Sequence, residues 1–215
     1  MMRDLYIASC ACDGGIYHYK TDGRNLSFCE KTKLDRPMYM IRSGNKMYVI
    51  LREPFNDEFS GMVSFDIDRN GKLINQSDII STKGVVACHL CADGDNIYAV
   101  NYVSGSVIKF PDRLVCHEGK GVNPLRQSAP HTHFAAVTPD NKYICVTDLG
   151  LDTVFFYDKD LNAKFSVKVP EGYGARHLAF SSGYMYCVNE LVSSVTVFKY
   201  DGENTRLSRY MDIWR

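Results

Sequence analysis

A repeat of short strand-like segments constrains the fold of this chain more than any other feature. Apolar triplets recur at intervals of 42, 50, 47 and 41 residues, centred on Tyr6, Tyr48, Tyr98, Cys145 and Tyr186. Each is followed by a second strand-like run, and most of these runs end in a polar turn. A period in the forties with about four short strands per unit is typical of a β-propeller, whose sheets bury both faces by stacking around an axis.

The repeat therefore predicts an all-β fold of four-stranded antiparallel blades, and no segment indicates a helix. We expect about five blades, approximately at residues 1–35, 36–83, 84–129, 130–172 and 173–215. The first has no segment for its innermost strand, which gives about nineteen strands, and we interpret the chain as part of a longer ring. Strands left unpaired at open blade edges favour self-association.

Composition and charge exclude several classes of partner. The 215 residues include 25 Lys plus Arg and 25 Asp plus Glu, so the chain has no overall charge. This balance argues against a nucleic-acid partner and against a basic membrane-binding surface. No apolar run approaches the roughly 18 residues of a membrane span, and the start does not resemble a signal peptide, so we expect a cytoplasmic protein.

The eight cysteines are interpreted as free thiols. Five of them lie in strand-like apolar runs, where a thiol behaves as a small buried hydrophobe. Cys10 with Cys12, and Cys88 with Cys91, are the pairs that invite a metal interpretation. The first spacing is too short for a zinc knuckle, and strand alternation sends the second pair to opposite faces. We therefore predict no metal and no cofactor.

Aligning the repeats gives a candidate site at one end of the inner strands. Equivalent positions near the start of each innermost strand are Pro37, Val86, His133 and Arg176. Equivalent positions at the end of the next strand are Leu51, Asn101, Asp148 and Asn189. Because the two strands form an antiparallel hairpin, these ends lie side by side on the face around the central channel. The residues expected to share that face are His131, His133, Asp148, Arg176 and Glu190.

One connection on the same face is unusually long and covers residues 111–130. Loops of this length are often functional, although some are merely mobile. Arg126 lies in this loop and would add a second guanidinium to the site. His177, next to Arg176, and Asn189, next to Glu190, complete the candidate substrate-binding residues.

Four segments resemble the seven-bladed β-propeller lactonase family, which includes propeller-type 6-phosphogluconolactonases and fungal carboxy-muconate lactonizing enzymes. They are Asn123-Pro-Leu-Arg-Gln-Ser-Ala-Pro-His-Thr-His133, Asp148-Leu-Gly-Leu-Asp152, Gly174-Ala-Arg-His-Leu-Ala-Phe180 and Val188-Asn-Glu-Leu-Val-Ser-Ser-Val-Thr-Val197. The N-terminal part, about 100 residues, matches only in the style of its repeat. The resemblance implies a ring of seven blades, of which about five are present here.

The resemblance also implies metal-independent hydrolysis, or reversible formation, of a sugar-acid or dicarboxylic-acid lactone. The family's histidine, arginine and glutamate correspond to His133 (or its neighbour His131), Arg176 and Glu190. We predict hydrolysis of 6-phosphogluconolactone to 6-phosphogluconate, with a small-molecule lactone as the partner. A further arginine from a later blade, which the lactonizing members use, has no counterpart in this sequence.

The residue types suit this chemistry. Lactone hydrolysis needs a base for water, a donor for the developing oxyanion and cations for an anionic substrate. Histidine titrates near neutrality, and arginine offers a planar fork for carboxylate or phosphate. Two alternatives stay open: a non-catalytic propeller that binds a small anion or a protein, and a carboxy-muconate-type lactonizing enzyme. A metal-dependent lactonase would need several carboxylates around a cation, which the histidine–arginine cluster disfavours.

Several of these residues also have a structural interpretation. An Arg-His pair that opens an inner strand can hydrogen-bond to neighbouring blades rather than to a ligand. Asp148 and Asn189 occupy aligned positions that hold Asp or Asn in three blades, so we interpret Asp148 as a turn-stabilising residue of the repeat. His18, His89 and His117 are predicted to lie outside the cluster.

Overall fold

The computed structural model describes residues 2–52, 55 and 57–200 and the backbone of residues 208–213, and all regular structure in this part is β-strand. The strands are β1 (Arg3–Ser9), β2 (Gly15–Thr21), β3 (Leu26–Lys33), β4 (Pro37–Ser43), β5 (Lys46–Leu51), β6 (Gly61–Ile67), β7 (Leu73–Ile74), β8 (Ile80–Ser81), β9 (Ala87–Asp93), β10 (Asn96–Asn101), β11 (Ser106–Lys109), β12 (Arg113–Cys116), β13 (Thr132–Val137), β14 (Ile144–Asp148), β15 (Thr153–Tyr157), β16 (Ala163–Lys168), β17 (Ala175–Ser181), β18 (Tyr184–Asn189), β19 (Ser194–Lys199) and β20 (Ser208–Ile213).

These strands form five antiparallel sheets, which we call blades 1 to 5. Blade 1 has the order β1-β2-β3, blade 2 β4-β5-β6-β7 with β8 also on β6, blade 3 β9 to β12, blade 4 β13 to β16 and blade 5 β17 to β20. The predicted all-β propeller of four-stranded antiparallel blades, with a three-stranded first blade, is confirmed. Each sheet falls within one predicted residue range, and residues 201–207 and 214–215 of the last range lie outside the described residues.

The outer edge of blade 2 differs from the prediction. Two strands of two residues each, β7 and β8, pair with different parts of β6, so the described chain has twenty strands rather than nineteen. Between them the backbone leaves the sheet at Asn75, which has a φ of 52°. The N–H of Ser77 then returns to the carbonyl of Ser64 at 2.9 Å. A single apolar pattern over this segment cannot reveal such an interruption.

Four apolar cores join the five blades into one unit. Each core draws buried side chains from two neighbouring blades; the one between blades 3 and 4, for example, contains Tyr98, Val107, Ile144 and Val146. The innermost strands β4, β9, β13 and β17 pack side by side. Fully burying side chains of this size stabilises a fold by about 1.5–3 kcal/mol each. The blades therefore stack around the inner strands, as the repeat predicts.

A β-bulge opens the innermost strand of blades 2 to 5. The pairing between the first and second strands shifts by one residue there and leaves out Met38, Cys88, His133 and Arg176. These four residues are the true equivalents, so the predicted positions Pro37 and Val86 are wrong by one and two residues. The sequence repeat does not show the extra residue of a bulge, which bends the strand and re-aims its side chain. The predicted set Leu51, Asn101, Asp148 and Asn189 does pair with the first residues of these strands.

The end of the molecule that carries these bulges is called the channel face below. Side chains fix neighbouring blades to one another at this end. Thr132 Oγ1 of blade 4 donates to the Asn101 carbonyl of blade 3 at 3.0 Å, and Thr147 Oγ1 of blade 4 donates to the Arg176 carbonyl of blade 5 at 2.7 Å. All eight cysteines are free thiols, and the described residues include no helix that could cross a membrane.

Candidate functional site

Two arginines share one carboxylate on the channel face. Glu190 Oε1 accepts a hydrogen bond from Arg126 Nη2 at 2.5 Å, and Glu190 Oε2 accepts one from Arg176 Nη1. The side chain of Glu190 is 20% exposed, whereas those of Arg126 and Arg176 are 44% and 41% exposed. A guanidinium has five N–H donors, so both arginines retain donors for a ligand, and the three groups together carry a positive charge.

The backbone of blade 5 fixes two members of this cluster. Arg176 is the bulge residue of β17, and Glu190 directly follows β18. The N–H of Glu190 donates to the Gly174 carbonyl at 2.9 Å. Because the Arg176 carbonyl is held by Thr147 of blade 4, the bulge cannot shift without breaking a contact between blades.

The third member is held by the long connection between blades 3 and 4. Asn123 Oδ1 accepts hydrogen bonds from the N–H groups of Leu125 and Arg126, which form a tight local turn. Gln127 is fully buried, and its Nε2 donates to the Leu149 carbonyl at 2.9 Å and to Asp152 Oδ1 at 2.7 Å. The sequence left open whether this loop is functional or mobile. Its buried anchor holds Arg126 against blade 5.

His131 and Tyr102 form a stacked pair beside the arginines. Their ring centroids are 4.6 Å apart with an interplanar angle of 13°. His131 Nδ1 lies 3.0 Å from the Tyr102 carbonyl, which can only accept, so Nδ1 carries the proton of this bond. The neutral ring then has its lone pair on Nε2. The Tyr102 hydroxyl also lies 3.4 Å from Arg126 Nη2.

His133 lies between Tyr102 and His177 on the channel face. Its ring is edge-on to Tyr102 at 5.7 Å between centroids, and it contacts His177 at 5.2 Å. Its Nδ1 is buried and has no hydrogen-bond partner among the described residues. A buried polar atom without a partner costs free energy unless a water or ligand satisfies it, so this nitrogen marks a place for a polar ligand atom.

Burial and positive charge keep these histidines neutral. Burial, with a smaller contribution from Arg176 and His177, lowers the pKa of His133 to about 4. Burial, with help from Arg176, also lowers the pKa of His177. Both imidazoles are therefore unprotonated at neutral pH, when they can accept a proton or a hydrogen bond.

His89 belongs to the same cluster, contrary to the prediction. The residue after each bulge has an aromatic or imidazole ring, and these rings contact one another across the inner strands. They belong to Tyr39, His89, Phe134 and His177. The His89 ring lies 4.3 Å from Tyr39 and 4.3 Å from Phe134, and burial lowers its pKa to about 3. The bulge moves the equivalent position in blade 3 from Val86 to Cys88, and His89 directly follows it.

Asp148 organises a buried network behind the channel face. Its Oδ1 accepts the His131 N–H at 2.8 Å, and its Oδ2 lies 2.6 Å from His117 Nδ1. The other nitrogen of His117 lies 2.7 Å from the Tyr157 hydroxyl. Asp148 is fully buried, so its contacts are internal. His117 lies outside the arginine cluster but supports the backbone of His131.

Asn189 does not line the site. It is fully buried, and its Nδ2 donates to Ser194 Oγ and Thr196 Oγ1, each at 2.9 Å within blade 5. Asn101 makes the equivalent bond to Ser106 in blade 3 at 3.0 Å. These amides stabilise the hairpin between the second and third strands. The repeat predicted their position correctly, but the residue in contact with the arginines is Glu190.

The structure thus brings His131, His133, Arg126, Arg176, His177 and Glu190 to one face. Sequence reasoning missed Tyr102, which follows β10 as Glu190 follows β18. The alignment that identified Glu190 as the residue after Asn189 would have identified Tyr102 after Asn101. Among the described residues no group of three or more His, Cys, Asp or Glu side chains converges as metal ligands would.

The sequence matches the family model described as "Lactonase, 7-bladed beta-propeller" over residues 4–213. The chain belongs to the seven-bladed β-propeller lactonase family. It is 30% identical over 207 residues to the 6-phosphogluconolactonase of Bacillus subtilis strain 168, a match that covers 87% of this chain and 59% of the relative. It is also 30% identical over 200 residues to an uncharacterized protein of Staphylococcus aureus strain USA300, covering 84% of this chain and 58% of that protein.

Solved structures that superimpose on this chain have the same fold. A candidate 6-phosphogluconolactonase from Bacteroides fragilis superimposes with a TM-score of 0.83 at 27% identity, over 99% of this chain and 66% of that chain. The periplasmic gluconolactonase of Pseudomonas aeruginosa has a TM-score of 0.83 at 24% identity, over 99% of this chain and 68% of that one, a likeness that supports the fold alone. The chain thus spans about three fifths of the length of its sequence relatives, at 59% and 58%.

Proposed function

We propose that this chain hydrolyses the lactone of an anionic sugar acid, with 6-phosphogluconolactone as substrate and 6-phosphogluconate as product. The names of the Bacillus subtilis and Bacteroides fragilis relatives support this substrate class. The observation that carries the proposal is the grouping of two partly exposed arginines with a histidine whose buried nitrogen has no partner in the described part of the chain. Such a site offers cations for an anion and a neutral base for water.

In this mechanism a neutral imidazole accepts a proton from water, and the resulting hydroxide attacks the lactone carbonyl carbon. His133 is the first candidate, and His131 is the second because its Nε2 is free to accept. Negative charge develops on the carbonyl oxygen, where the Arg176 guanidinium stabilises it. The ring C–O bond then breaks, and the leaving alkoxide takes the proton from the imidazolium to become a hydroxyl group. The new carboxylic acid ionises and releases one proton to the solvent.

Glu190 controls the arginines in this scheme. As long as both guanidiniums contact its carboxylate, Glu190 orients them and is a poor base, because positive charge stabilises its ionised form. Arg126 remains available, through its exposed donors, to the carboxylate that the reaction forms at the lactone carbonyl carbon. An acid–base role for Glu190 requires the substrate to draw at least one arginine away from it.

The test is proton release from 6-phosphogluconolactone, with the spontaneous rate subtracted, by the wild type and by Arg176→Ala. The matched control is Arg69→Ala, an exposed arginine in the turn between β6 and β7. Turnover that is lost in Arg176→Ala and kept in Arg69→Ala supports the proposal. Absence of turnover above the spontaneous rate in the wild type would contradict it.

A second candidate function is supported by the double pairing of Glu190. A carboxylate neutralised by two arginines suits a propeller that binds a sugar acid without converting it. Binding of 6-phosphogluconate with no lactone turnover would favour this candidate. Turnover of a dicarboxylic-acid lactone in preference to a sugar lactone would favour a carboxy-muconate-type activity.

A further inference from the structure

The residue that follows the second strand occupies an equivalent place in four blades. These residues are Arg52, Tyr102, Leu149 and Glu190. Each donates its backbone N–H to the residue two positions before the bulge of its own blade, at 3.4 Å to Arg36, 2.9 Å to Val86, 2.9 Å to His131 and 2.9 Å to Gly174. Two of the four, Tyr102 and Glu190, already belong to the arginine–histidine site. The repeat therefore places Arg52 on the same face.

A side-chain bridge fixes Arg52 against blade 3. Ser60 Oγ donates to the Arg52 carbonyl at 2.6 Å and accepts the N–H of Ala87 at 3.0 Å. Ala87 is fully buried and directly precedes the bulge residue Cys88. One hydroxyl group thus separates the backbone of Arg52 from the start of the inner strand of the next blade.

Electrostatics agree with this placement. Burial raises the pKa of the Cys88 thiol to about 12, while the positive charges of Arg176 and Arg52 both act to lower it. Cys88 in blade 3 is therefore within electrostatic reach of an arginine from blade 2 and of one from blade 5. Arg52 is exposed, and within the described residues no carboxylate lies at ion-pair distance from it.

We propose that Arg52 is a substrate-binding residue that holds a second anionic group, so that the site takes a sugar acid charged at both ends. The inference rests on the proposed function for the nature of the ligand. Arg126 and Arg176 hold one anionic end beside Glu190, and Arg52 holds the other end from blade 2. 6-Phosphogluconate has a carboxylate and a phosphate at opposite ends of its chain, whereas gluconate has only the carboxylate.

The test compares the binding of 6-phosphogluconate and gluconate by titration calorimetry. The proteins are the wild type, Arg52→Gln, Arg52→Lys and the control Arg69→Gln, which removes an exposed arginine of the same blade away from the inner strands. We expect Arg52→Gln to weaken 6-phosphogluconate binding by about tenfold or more, as for a charged hydrogen bond, and gluconate binding by less than about twofold. Arg52→Lys should recover part of the loss, and Arg69→Gln should match the wild type.

The outcomes separate the inference from the proposed function. Unchanged 6-phosphogluconate binding in Arg52→Gln, or equal losses for both ligands, overturns the role of Arg52 and leaves the lactonase proposal standing. If Arg52→Gln selectively loses 6-phosphogluconate binding while the wild type shows no lactone turnover, the role of Arg52 is supported and the lactonase proposal is overturned. Failure of the wild type to bind 6-phosphogluconate overturns the role of Arg52, and the turnover assay then decides the lactonase proposal separately. Thermal melting of each variant shows that a change in affinity does not reflect unfolding.

Discussion

Glu190 lies 2.5 Å from Arg126, although the two residues are 64 positions apart in the chain. The contact ties the long connection after blade 3 to the end of the second strand of blade 5. It also sets the charge of the site, because Arg126 and Arg176 compete for the same carboxylate. Any anion that enters must form its contacts in competition with Glu190.

Replacing Glu190 by Gln should separate catalysis from binding. The variant keeps the shape of the side chain but no longer neutralises the two arginines, so we expect 6-phosphogluconate to bind more tightly, by about threefold to tenfold. Lactone turnover should fall, because the arginines lose their alignment. Calorimetry and proton release on the same preparation measure both effects. Weaker product binding in Glu190→Gln would show that the carboxylate is needed to position the arginines for binding.

The pH dependence of turnover should identify the base. If His133 acts as base, kcat/KM rises with pH through its pKa of about 4 and is flat from about pH 6 to 8, because the active form is deprotonated. His133→Asn should remove most of this activity. A profile whose acidic limb lies well above pH 4 would indicate a base other than His133.

His89 should make the fold sensitive to acid. Its pKa is about 3 in the folded chain against an ordinary 6.5, so the unfolded state binds more protons below pH 6.5. Stability should therefore be complete above pH 6.5 and fall as the pH drops toward 3. For this group alone we expect a loss of about 1–2 kcal/mol between pH 7 and 5.

Urea unfolding of the wild type and His89→Phe at both pH values measures this loss. Phenylalanine fits between Tyr39 and Phe134 and has no proton to bind. The difference between pH 7 and 5 should shrink in the variant. An unchanged difference would assign the acid sensitivity to other groups, such as His133 and His177.

Asp148→Asn should destabilise the protein strongly. The substitution replaces one carboxylate oxygen of the fully buried Asp148 by an amide nitrogen, so it disrupts the contact with His117 or the support of the His131 backbone. Losing a hydrogen-bond acceptor inside a protein typically costs about 1–3 kcal/mol for each donor left without a partner. The control Asp160→Asn changes an aspartate whose side chain is 77% exposed and should cost less than about 1 kcal/mol. Similar denaturation midpoints for the two variants would rule out a structural role for Asp148.

Tyr102 should act through its ring rather than its hydroxyl group. Tyr102→Phe keeps the stack on His131 and loses only a long contact with Arg126, so activity should stay within about threefold of the wild type. Tyr102→Ala removes the stack and should lower kcat more than KM, because the histidine loses its orientation. Equal losses in both variants would instead assign the effect to the hydroxyl group.

Most of the fold is readable from the sequence, because each blade repeats one hairpin whose strands have the same apolar pattern. The triplets centred on Tyr48 and Tyr98 lie in β5 and β10 as expected. The bulges are not readable, since an inserted residue leaves no periodic trace, and they account for the misplacement of Pro37, Val86 and His89. The contact of Arg126 with Glu190 could not be predicted from the sequence either, because it depends on the hydrogen bonds by which the buried Gln127 holds the loop in place.

The bulges separate the residue that faces the site from the residue that packs against the neighbouring inner strands. In each of four blades the bulge residue is left out of the strand pairing, and the residue after it is paired again. These following residues pack against one another and are Tyr39, His89, Phe134 and His177. A side chain at the bulge can therefore change without disturbing the strand register behind it. Two of these positions carry His133 and Arg176, and two carry the chemically quiet Met38 and Cys88. For enzyme engineering, the exposed Met38 is the bulge position at which new specificity can be installed at the lowest structural risk, because Cys88 packs against the core between blades 3 and 4.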